Sequence, residues 1–227
     1  MRPAELDPAL LETLKRFDSA TLSNAIETFA IRPRDEGYMS MDIRCLFHEL
    51  GPLVGYAATA TIRARGGSAN GDETALYQHV REIPEPRVVV VQDMDEPPGC
   101  GSLWGEVTAT VLGALGCAGC VTDGCVRDVK EARAMGFQFF ARGPGVSHGY
   151  VRVETAGRPV TVGGLSVSPG DLIHADQHGV LLIPREVAAE LPAAAERVIS
   201  AEQTLLEWVR SSDFDADELI ERRRVRH

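Results

Sequence analysis

Apolar residues in the middle of the chain alternate between short continuous runs and amphipathic stretches, a pattern that predicts strands and helices in turn. The four consecutive valines in Arg87–Asp93 are typical of a strand covered on both faces. In Trp104–Leu115 the apolar residues recur instead at helical spacing. Further strands are predicted at Gly55–Arg65, Ala118–Thr122 and Gln138–Ala141, and further helices at Asp72–Ile83 and Asp128–Met135. This β-α-β-α-β order favours a parallel or mixed sheet with helical cover.

The two ends of the chain are predicted to be helical, and the part after Gly149 to be rich in short strands. Residues 8–29 form two short helices, with Asp18 or Ser19 capping the second. After Gly149, β-like runs separated by Gly, Pro and Asp turns indicate a β-meander packed on the first sheet. A helix over Arg185–Arg210 and a shorter one from about Asp215 close the chain. We therefore expect one domain over residues 1–227, with N-terminal helices at about 1–30, an α/β core at 50–184 and a helical segment at 185–227.

Composition and charge are typical of a globular protein and argue against one class of partner. The chain has 227 residues, 44% apolar and 25% charged, as in an ordinary globular protein with a sizeable core. Its formal net charge of −10 argues against nucleic acid as a partner, because phosphate contacts require clustered Lys and Arg. The basic cluster Arg222–Arg224 with Arg226 follows an acidic run at 213–218 and is best explained as a solvated, self-neutralising tail.

The N-terminal sequence and the cysteines predict a cytoplasmic protein that does not enter a membrane. The opening residues M-R-P-A-E-L-D-P lack the apolar region of a signal peptide, and no apolar run approaches the roughly 18 residues that cross a bilayer. The cysteines are odd in number, so we expect reduced thiols. They are Cys45, Cys100, Cys117, Cys120 and Cys125.

Three charged residues on two neighbouring βα loops form a candidate site. Glu106 is separated from Arg127 and Asp128 by twenty residues, the length of one helix and one buried strand. Both loops are predicted to lie outside the carboxyl ends of strands, where ligands bind in open α/β sheets. Arg127 offers a planar fork for a carboxylate, Asp128 is a hard ligand for Mg²⁺, and Glu106 is suited to orient a water for proton transfer. The N–H groups of the helix start at Gly105 add an anion site.

Each of these residues also has an ordinary structural explanation. Asp128 stands where a helix N-cap is expected, and Arg127 alone is typical of a surface residue. Glu106 in a first helical turn interacts favourably with the helix dipole. Only the joint placement of the three on adjacent loops favours a functional site.

The motifs around these residues resemble one family of metal-dependent aldolases. They are G-S-L-W-G-E-V-T-A-T, A-G-C-V-T-D-G-C-V-R-D and V-G-G-L-S-V-S-P-G-D-L-I-H-A-D-Q-H-G-V-L-L-I-P. They resemble the class II 4-hydroxy-4-methyl-2-oxoglutarate (4-carboxy-4-hydroxy-2-oxoadipate) aldolases. That family also contains regulators of ribonuclease E activity and members once misnamed demethylmenaquinone methyltransferases. With L-S-N-A-I and L-V-G-Y-A-A-T-A near the N-terminus, the resemblance covers roughly residues 15–205.

The resemblance implies a role for each site residue. The family's D-x20-R-D pattern falls on Glu106, Arg127 and Asp128, so a Glu stands here in place of the first Asp. By resemblance, Asp128 ligates Mg²⁺ or Mn²⁺, Arg127 binds the pyruvyl group, and the backbone of Gly105, Glu106, Val107 and Thr108 cradles its carboxylate. The family further implies an α-β-β-α sandwich with a central mixed sheet, assembled as a homotrimer or homohexamer with sites between subunits. Glu202 of a neighbouring subunit is a candidate additional metal ligand.

The expected function is that of a divalent-metal-dependent lyase. A 4-hydroxy-2-oxo acid would be cleaved at a C–C bond to release pyruvate through a metal-stabilised enolate, and oxaloacetate would be decarboxylated through the same enolate. No lysine lies in the two loops, which disfavours a Schiff-base mechanism. The alternative is a non-catalytic, protein-binding regulator of a ribonuclease.

Three other motifs are better explained by structure than by chemistry. Cys117-x2-Cys120 with Cys125 lacks a second pair at zinc spacing, so buried thiols are expected. The polar residues of His174–His178 fit a hairpin turn better than a metal site. Ser147-His148 lies in a loop that is expected to be mobile and lacks the elbow of a nucleophilic serine.

Overall fold

The computed structural model describes residues 5–67 and 72–224. The side chains of Arg222–Arg224 and Arg226, on which the predicted basic cluster rests, lie outside the described residues. The helices are α1 (Pro8–Leu14), α2 (Ser19–Glu27), α3 (Thr74–Glu82), α4 (Glu106–Ala114), α5 (Val129–Ala134), α6 (Leu191–Arg210) and α7 (Ala216–Arg224). The strands are β1 (Arg44–Cys45), β2 (Leu53–Arg63), β3 (Arg87–Asp93), β4 (Cys117–Thr122), β5 (Cys125–Val126), β6 (Gln138–Ala141), β7 (Gly143–Pro144), β8 (Arg152–Ala156), β9 (Val160–Val162), β10 (Leu165–Val167), β11 (Leu172–Asp176) and β12 (Gly179–Ile183).

A mixed sheet in the order β1-β6-β4-β3-β2-β11-β12 forms the centre of the molecule, with β8 paired to the far end of β2. Strands β2, β3, β4 and β6 run parallel, which places their carboxyl ends at one edge of the sheet. Strands β1, β8, β11 and β12 pair antiparallel. The predicted fold class, a mixed α/β protein with strands in the C-terminal half and a closing helix, is confirmed.

The apolar side chains form two clusters, one on each face of the sheet. Valines of β3 alternate between them: Val89 and Val91 pack under the helices, whereas Val88 and Val90 pack with the β9–β10 hairpin. All four valines have no exposed surface. The run of valines is therefore a strand covered on both faces, as its sequence predicts.

The C-terminal helix begins later than expected, at Leu191 instead of Arg185. Residues 185–190 form tight turns in which N–H groups bond to carbonyls three residues back, as from Glu190 to Val187. Pro192 occupies the first turn of α6. Since proline lacks an N–H and its ring clashes with the carbonyl four residues earlier, a helix running through from Arg185 is disfavoured.

Within residues 5–67 and 72–224, no helix is long and apolar enough to cross a bilayer.

Two buried histidines make the stability of the fold sensitive to mild acid. His79 Nε2 accepts the backbone N–H of Thr59 at 3.2 Å, and His174 Nε2–H donates to the Phe17 carbonyl at 3.0 Å. Burial lowers the pKa of both rings below the ordinary value of 6.5. Below pH 6.5 the unfolded chain therefore takes up protons that the folded chain does not.

We expect the contribution of these two rings to the free energy of unfolding to decrease as the pH falls from about 7 to 5. Urea unfolding at four pH values measures this. The variant H174Q keeps an N–H donor near Phe17 but cannot titrate, so its stability should fall less steeply over the same range. Equal slopes for the wild-type chain and H174Q would contradict the assignment to His174.

Candidate functional site

The two predicted loops lie side by side because β3 and β4 are parallel neighbours. A parallel bridge joins Trp104 to Val126, and the N–H of Arg127 donates to the Trp104 carbonyl at 3.0 Å. These bonds connect the residues just before α4 to those just before α5. Gly105 and Asp128, which follow them, are brought into contact.

Asp128 occupies the N-cap position of α5, but its side chain does not cap that helix. Its Oδ2 instead accepts the backbone N–H of Glu106, the first residue of α4, at 2.9 Å. The backbone of Asp128 is left-handed, with φ 49° and ψ 46°, a region in which Asp is among the few tolerated side chains. Helix capping of α5 therefore does not explain Asp128; the residue joins the two loops and leaves Oδ1 without a donor among the described residues.

Gly105 is required by the close approach of these loops. Its φ of −170° is ordinary extended backbone, so the reason for glycine is space. A Cβ at this position would lie 2.6 Å from Asp128 Oδ2 and 3.9 Å from Arg127 Nη2. The missing side chain makes room for both charged groups.

A cavity of about 330 Å³ opens beside this contact. Its lining includes four of the predicted site residues besides Asp128: Gly105, Val107, Thr108 and Arg127. The first N–H of α4 is taken by Asp128, whereas those of Val107 and Thr108 have no partner among the described residues. Such groups at a helix start attract an anion.

Arg127 is half-buried and lacks a counter-ion in the described chain. Its Nε is shielded from solvent and forms no hydrogen bond, and the indole Nε1 of the neighbouring Trp104 is in the same state. Buried donors without partners are rare because each costs about 1–3 kcal/mol. Both residues line the cavity, so the arrangement fits an anionic ligand.

Asp128 is the described side chain best placed to hold a divalent cation. Its carboxylate is exposed and Oδ1 is free of hydrogen bonds from described residues. Mg²⁺ keeps several waters and commonly takes one or two protein carboxylates, so a single aspartate fits it. Within the described ranges, no three His, Cys, Asp or Glu side chains gather in a cage for a metal.

Glu106 and Glu202 are not brought into this cavity by their own chain. Glu106 is exposed and contributes its backbone N–H to Asp128, and its side chain is absent from the described lining. Glu202 is exposed and lies in the C-terminal half of α6. Their predicted roles remain predictions.

The structure adds residues to the site that the sequence did not indicate. Glu73, from the segment before α3, lines the cavity, and the Tyr77 hydroxyl donates a hydrogen bond to its carboxylate. His148 and Val151 line it as well. Ser102, which also lines the cavity, is held close to this segment because its N–H donates to the Ser147 carbonyl at 3.0 Å. The Ser147-His148 loop thus forms a wall of the site, although the sequence assigned it no function.

Three other aspartates at the same edge of the sheet bond to loop backbone and do not line the cavity. Asp93 accepts from the N–H groups of Asp95 and Gly99, Asp95 accepts from those of Ala64 and Arg65, and Asp123 accepts from that of Asp93. Burial raises the pKa of the Asp93 and Asp123 carboxyls. Their bonds to backbone explain them as loop-ordering residues.

The cysteine and histidine motifs have structural roles, as expected. Cys117, Cys120 and Cys125 are buried free thiols, and burial raises the pKa of Cys117 to about 12. In the hairpin, Asp176 accepts the N–H and the hydroxyl of Ser19 at 2.8 and 2.6 Å, which attaches α2 to β11.

Replacing Gly105 by alanine should lower activity much more than stability. The new Cβ displaces the Asp128 carboxylate, and in enzymes a shift of about 1 Å in a group of the site can cost about 100-fold in rate. Turnover and thermal unfolding of G105A measure the two effects. The control is G113A, near the end of α4, where a Cβ meets nothing nearer than Phe137 Cδ2 at 3.9 Å. Equal activity of G105A and G113A would contradict the proposed crowding.

The comparisons with known proteins agree on one family. The sequence model of the family described as RraA-like, Aldolase/RraA, matches residues 19–182. Protein DlpA of Legionella pneumophila subsp. pneumophila is 28% identical over 186 residues, 81% of this chain and 29% of that protein. A Halalkalibacterium halodurans protein named "Putative 4-hydroxy-4-methyl-2-oxoglutarate aldolase" is 30% identical over 135 residues, 59% of this chain and 60% of that protein. The matches thus span less than two thirds of either relative.

A solved structure from Streptomyces coelicolor is similar over nearly its whole length. It is Streptomyces coelicolor RraAS2, described as an unusual member of the RNase ES inhibitor RraA protein family. The TM-score is 0.71 at 25% identity, covering 89% of this chain and 99% of that one.

Proposed function

This chain belongs to the RraA-like, Aldolase/RraA family, and from that premise we propose that it is a divalent-metal-dependent pyruvate lyase. It cleaves a C–C bond of a 4-hydroxy-2-oxo acid to release pyruvate and also decarboxylates oxaloacetate. The observation that carries the proposal is a single cavity lined by Arg127, Asp128 and the start of α4. Among the described residues, the Arg127 guanidinium has no counter-ion and the N–H groups of Val107 and Thr108 have no acceptor. The aldolase name of the Halalkalibacterium relative supports the reaction class.

The cavity supplies the contacts that a 2-oxo acid requires. Arg127 is the one arginine in the described lining, and its guanidinium pairs with the substrate carboxylate. The N–H groups of Val107 and Thr108 add two donors at the same helix start. No lysine belongs to the described lining, so the residues do not support Schiff-base chemistry.

Asp128 would hold the cation, with waters completing its shell. When bound, the divalent cation supplies Lewis-acid stabilisation of negative charge on the substrate's keto oxygen. Arg127 contributes a second, fixed positive charge. Asp128 itself is positioned by its bond to Glu106 N–H.

The chemical step breaks one C–C bond and transfers one proton from oxygen to carbon. Cleavage breaks the C3–C4 bond, its electron pair forms the enolate of pyruvate, and the C4 hydroxyl loses its proton and becomes a carbonyl. The enolate then takes a proton at C3. Glu106 is the proposed group that orients water for these transfers. In oxaloacetate the same enolate forms on loss of carbon dioxide.

The active form is proposed to be a homotrimer or homohexamer. Val107 borders the cavity and is 77% exposed, and cover by a neighbouring subunit would remove this apolar surface from water. Glu202 of such a neighbour is the proposed further ligand of the cation. Light scattering coupled to gel filtration measures the assembly.

A second candidate function is that of a non-catalytic regulator that binds a ribonuclease. The observation in its favour is the similarity to Streptomyces coelicolor RraAS2. A regulator requires a protein-binding surface but no turnover, and it gives no role to a cavity in which Arg127 lacks a counter-ion among the described residues.

Measurement of pyruvate release separates the two functions. Purified protein is assayed with oxaloacetate and with 4-hydroxy-4-methyl-2-oxoglutarate, with added Mg²⁺ or Mn²⁺ and with EDTA. We expect turnover of both acids that EDTA removes and Mg²⁺ restores. Absence of metal-dependent turnover of any 2-oxo acid would reject the lyase and leave the regulator as the better candidate.

A further inference from the structure

The part of the cavity wall outside the two βα loops carries a carboxylate and little positive charge. It includes Glu73, His148 and Val151. Apart from Arg127, the one described lining residue able to carry positive charge is His148. Once Arg127 binds the 2-oxo carboxylate, the described lining retains little positive charge for a second one.

Glu73 is held as a hydrogen-bond acceptor. Its side chain is half-buried, and the Tyr77 hydroxyl donates to Oε2. Burial, with the neighbouring Glu73 carboxylate, raises the pKa of Tyr77, which therefore stays protonated and keeps donating. A carboxylate fixed in this way presents negative charge and acceptor oxygens to a ligand.

His148 presents a second acceptor in its neutral form. Its Nδ1–H donates to the Gly149 carbonyl at 2.7 Å, so Nε2 is the nitrogen without a proton. Ser102, by contrast, has no spare donor, because its hydroxyl is already engaged with the carbonyls of Trp104 and Cys125 at 2.8 Å. This wall therefore fits a group that donates hydrogen bonds and carries no negative charge.

We propose, resting on the proposed function, that Glu73 is a specificity-determining residue. The cavity selects 4-hydroxy-2-oxo acids whose distal end is uncharged and hydroxylated, and it disfavours those with a distal carboxylate. A hydroxyl donates to the Glu73 carboxylate or to His148, whereas a second carboxylate is repelled by Glu73. Dicarboxylates such as 4-hydroxy-4-methyl-2-oxoglutarate are then secondary substrates.

The test compares two substrates of equal length that differ at the distal carbon. 4,5-Dihydroxy-2-oxopentanoate ends in a hydroxymethyl group, and 4-hydroxy-2-oxoglutarate ends in a carboxylate. At pH 8 with Mg²⁺, we expect kcat/KM for pyruvate release to be about ten-fold higher for the first. In E73Q, which keeps the size of the side chain and removes its charge, the ratio should fall to about two-fold. The control E82Q, at the last residue of α3 with a side chain 78% exposed, should keep the wild-type ratio.

Binding of two uncleavable analogues provides a second readout. 5-Hydroxy-2-oxopentanoate and 2-oxoglutarate lack the 4-hydroxyl and cannot undergo the cleavage. Calorimetry should give about ten-fold tighter binding of the hydroxylated acid, a preference that E73Q loses.

The outcomes distinguish this inference from the proposed function. Pyruvate release from both substrates with the dicarboxylate preferred, or a preference that E73Q leaves unchanged, would overturn the role of Glu73 and leave the lyase intact. No pyruvate from either substrate, with the binding preference present and lost in E73Q, would reject the lyase but support charge selection by Glu73. No turnover and no binding preference would overturn both.

Discussion

Replacing Asp128 by asparagine is expected to lower metal-dependent pyruvate release about 1,000-fold while leaving the fold unchanged. Asparagine tolerates the left-handed backbone of this position, and its side-chain oxygen can accept the Glu106 N–H as Asp128 Oδ2 does. Only the negative charge is lost, and with it the hard ligand for Mg²⁺. Steady-state kinetics over a Mg²⁺ titration measure the effect, and Mn²⁺ binding by electron paramagnetic resonance gives a readout that does not depend on turnover.

Asp128→Ala removes the contact to Glu106 as well as the charge. Alanine in the left-handed region costs about 1 kcal/mol or more, so this variant should be less stable than D128N. If Asp128 served only to order the loops, D128N would be active and D128A would be impaired. If Asp128 holds the cation, both variants are inactive and differ only in stability. Normal Mn²⁺ binding and turnover in D128N would reject the metal assignment.

The sheet could be predicted from the sequence because its strands are buried on both faces. Four valines without an interrupting polar residue permit little besides a central strand, and β3 was predicted with its observed bounds. The start of α6 could not be predicted in the same way. The apolar spacing after Pro184 is helical. Pro192, however, is favoured only in the first turn of a helix, so the residues before Leu191 are excluded from α6. The two-residue strands β1, β5 and β7 carry no detectable pattern because each is defined by its partner alone.

The candidate site was predictable where its residues lie on consecutive loops of parallel strands. Gly105, Arg127 and Asp128 meet because β3 and β4 are neighbours, and this adjacency follows from the β-α-β order. Glu73 and His148 reach the same cavity from segments on either side of those loops in sequence. Their positions depend on long-range packing: Glu73 stands in no motif, and Ser147-His148 carries no pattern that links it to these loops. For Glu106 the sequence predicted the place but not the contact. Its spacing from Arg127 and Asp128 was informative, but its backbone N–H, and not its carboxylate, bonds to Asp128.

Replacing Arg127 by methionine should reduce kcat/KM about 1,000-fold and leave stability equal or slightly higher. Arg127 has a buried Nε without a hydrogen-bond partner, and it has no counter-ion among the described residues. Methionine fills a similar volume without an unsatisfied donor, so the folded state loses little by the exchange. R127K keeps the charge but not the planar fork, so its main effect should be on KM, by about 10- to 100-fold. Kinetics with oxaloacetate and urea unfolding of the two variants measure both quantities.

A residue that serves the fold would behave in the opposite way. The comparison is Arg87, which is buried at the other edge of the sheet and bonds through Nε to the Ile83 carbonyl at 2.6 Å and through Nη1 to Glu85 at 2.9 Å. R87M leaves the Ile83 carbonyl without a donor and should lower the free energy of unfolding by about 2 kcal/mol or more, with activity changed little in the protein that stays folded. Because Arg127 is unsatisfied in the folded chain and Arg87 is satisfied, the two variants should separate activity from stability. Loss of stability in R127M equal to that in R87M, with catalysis retained, would show that Arg127 supports the fold instead of binding the substrate.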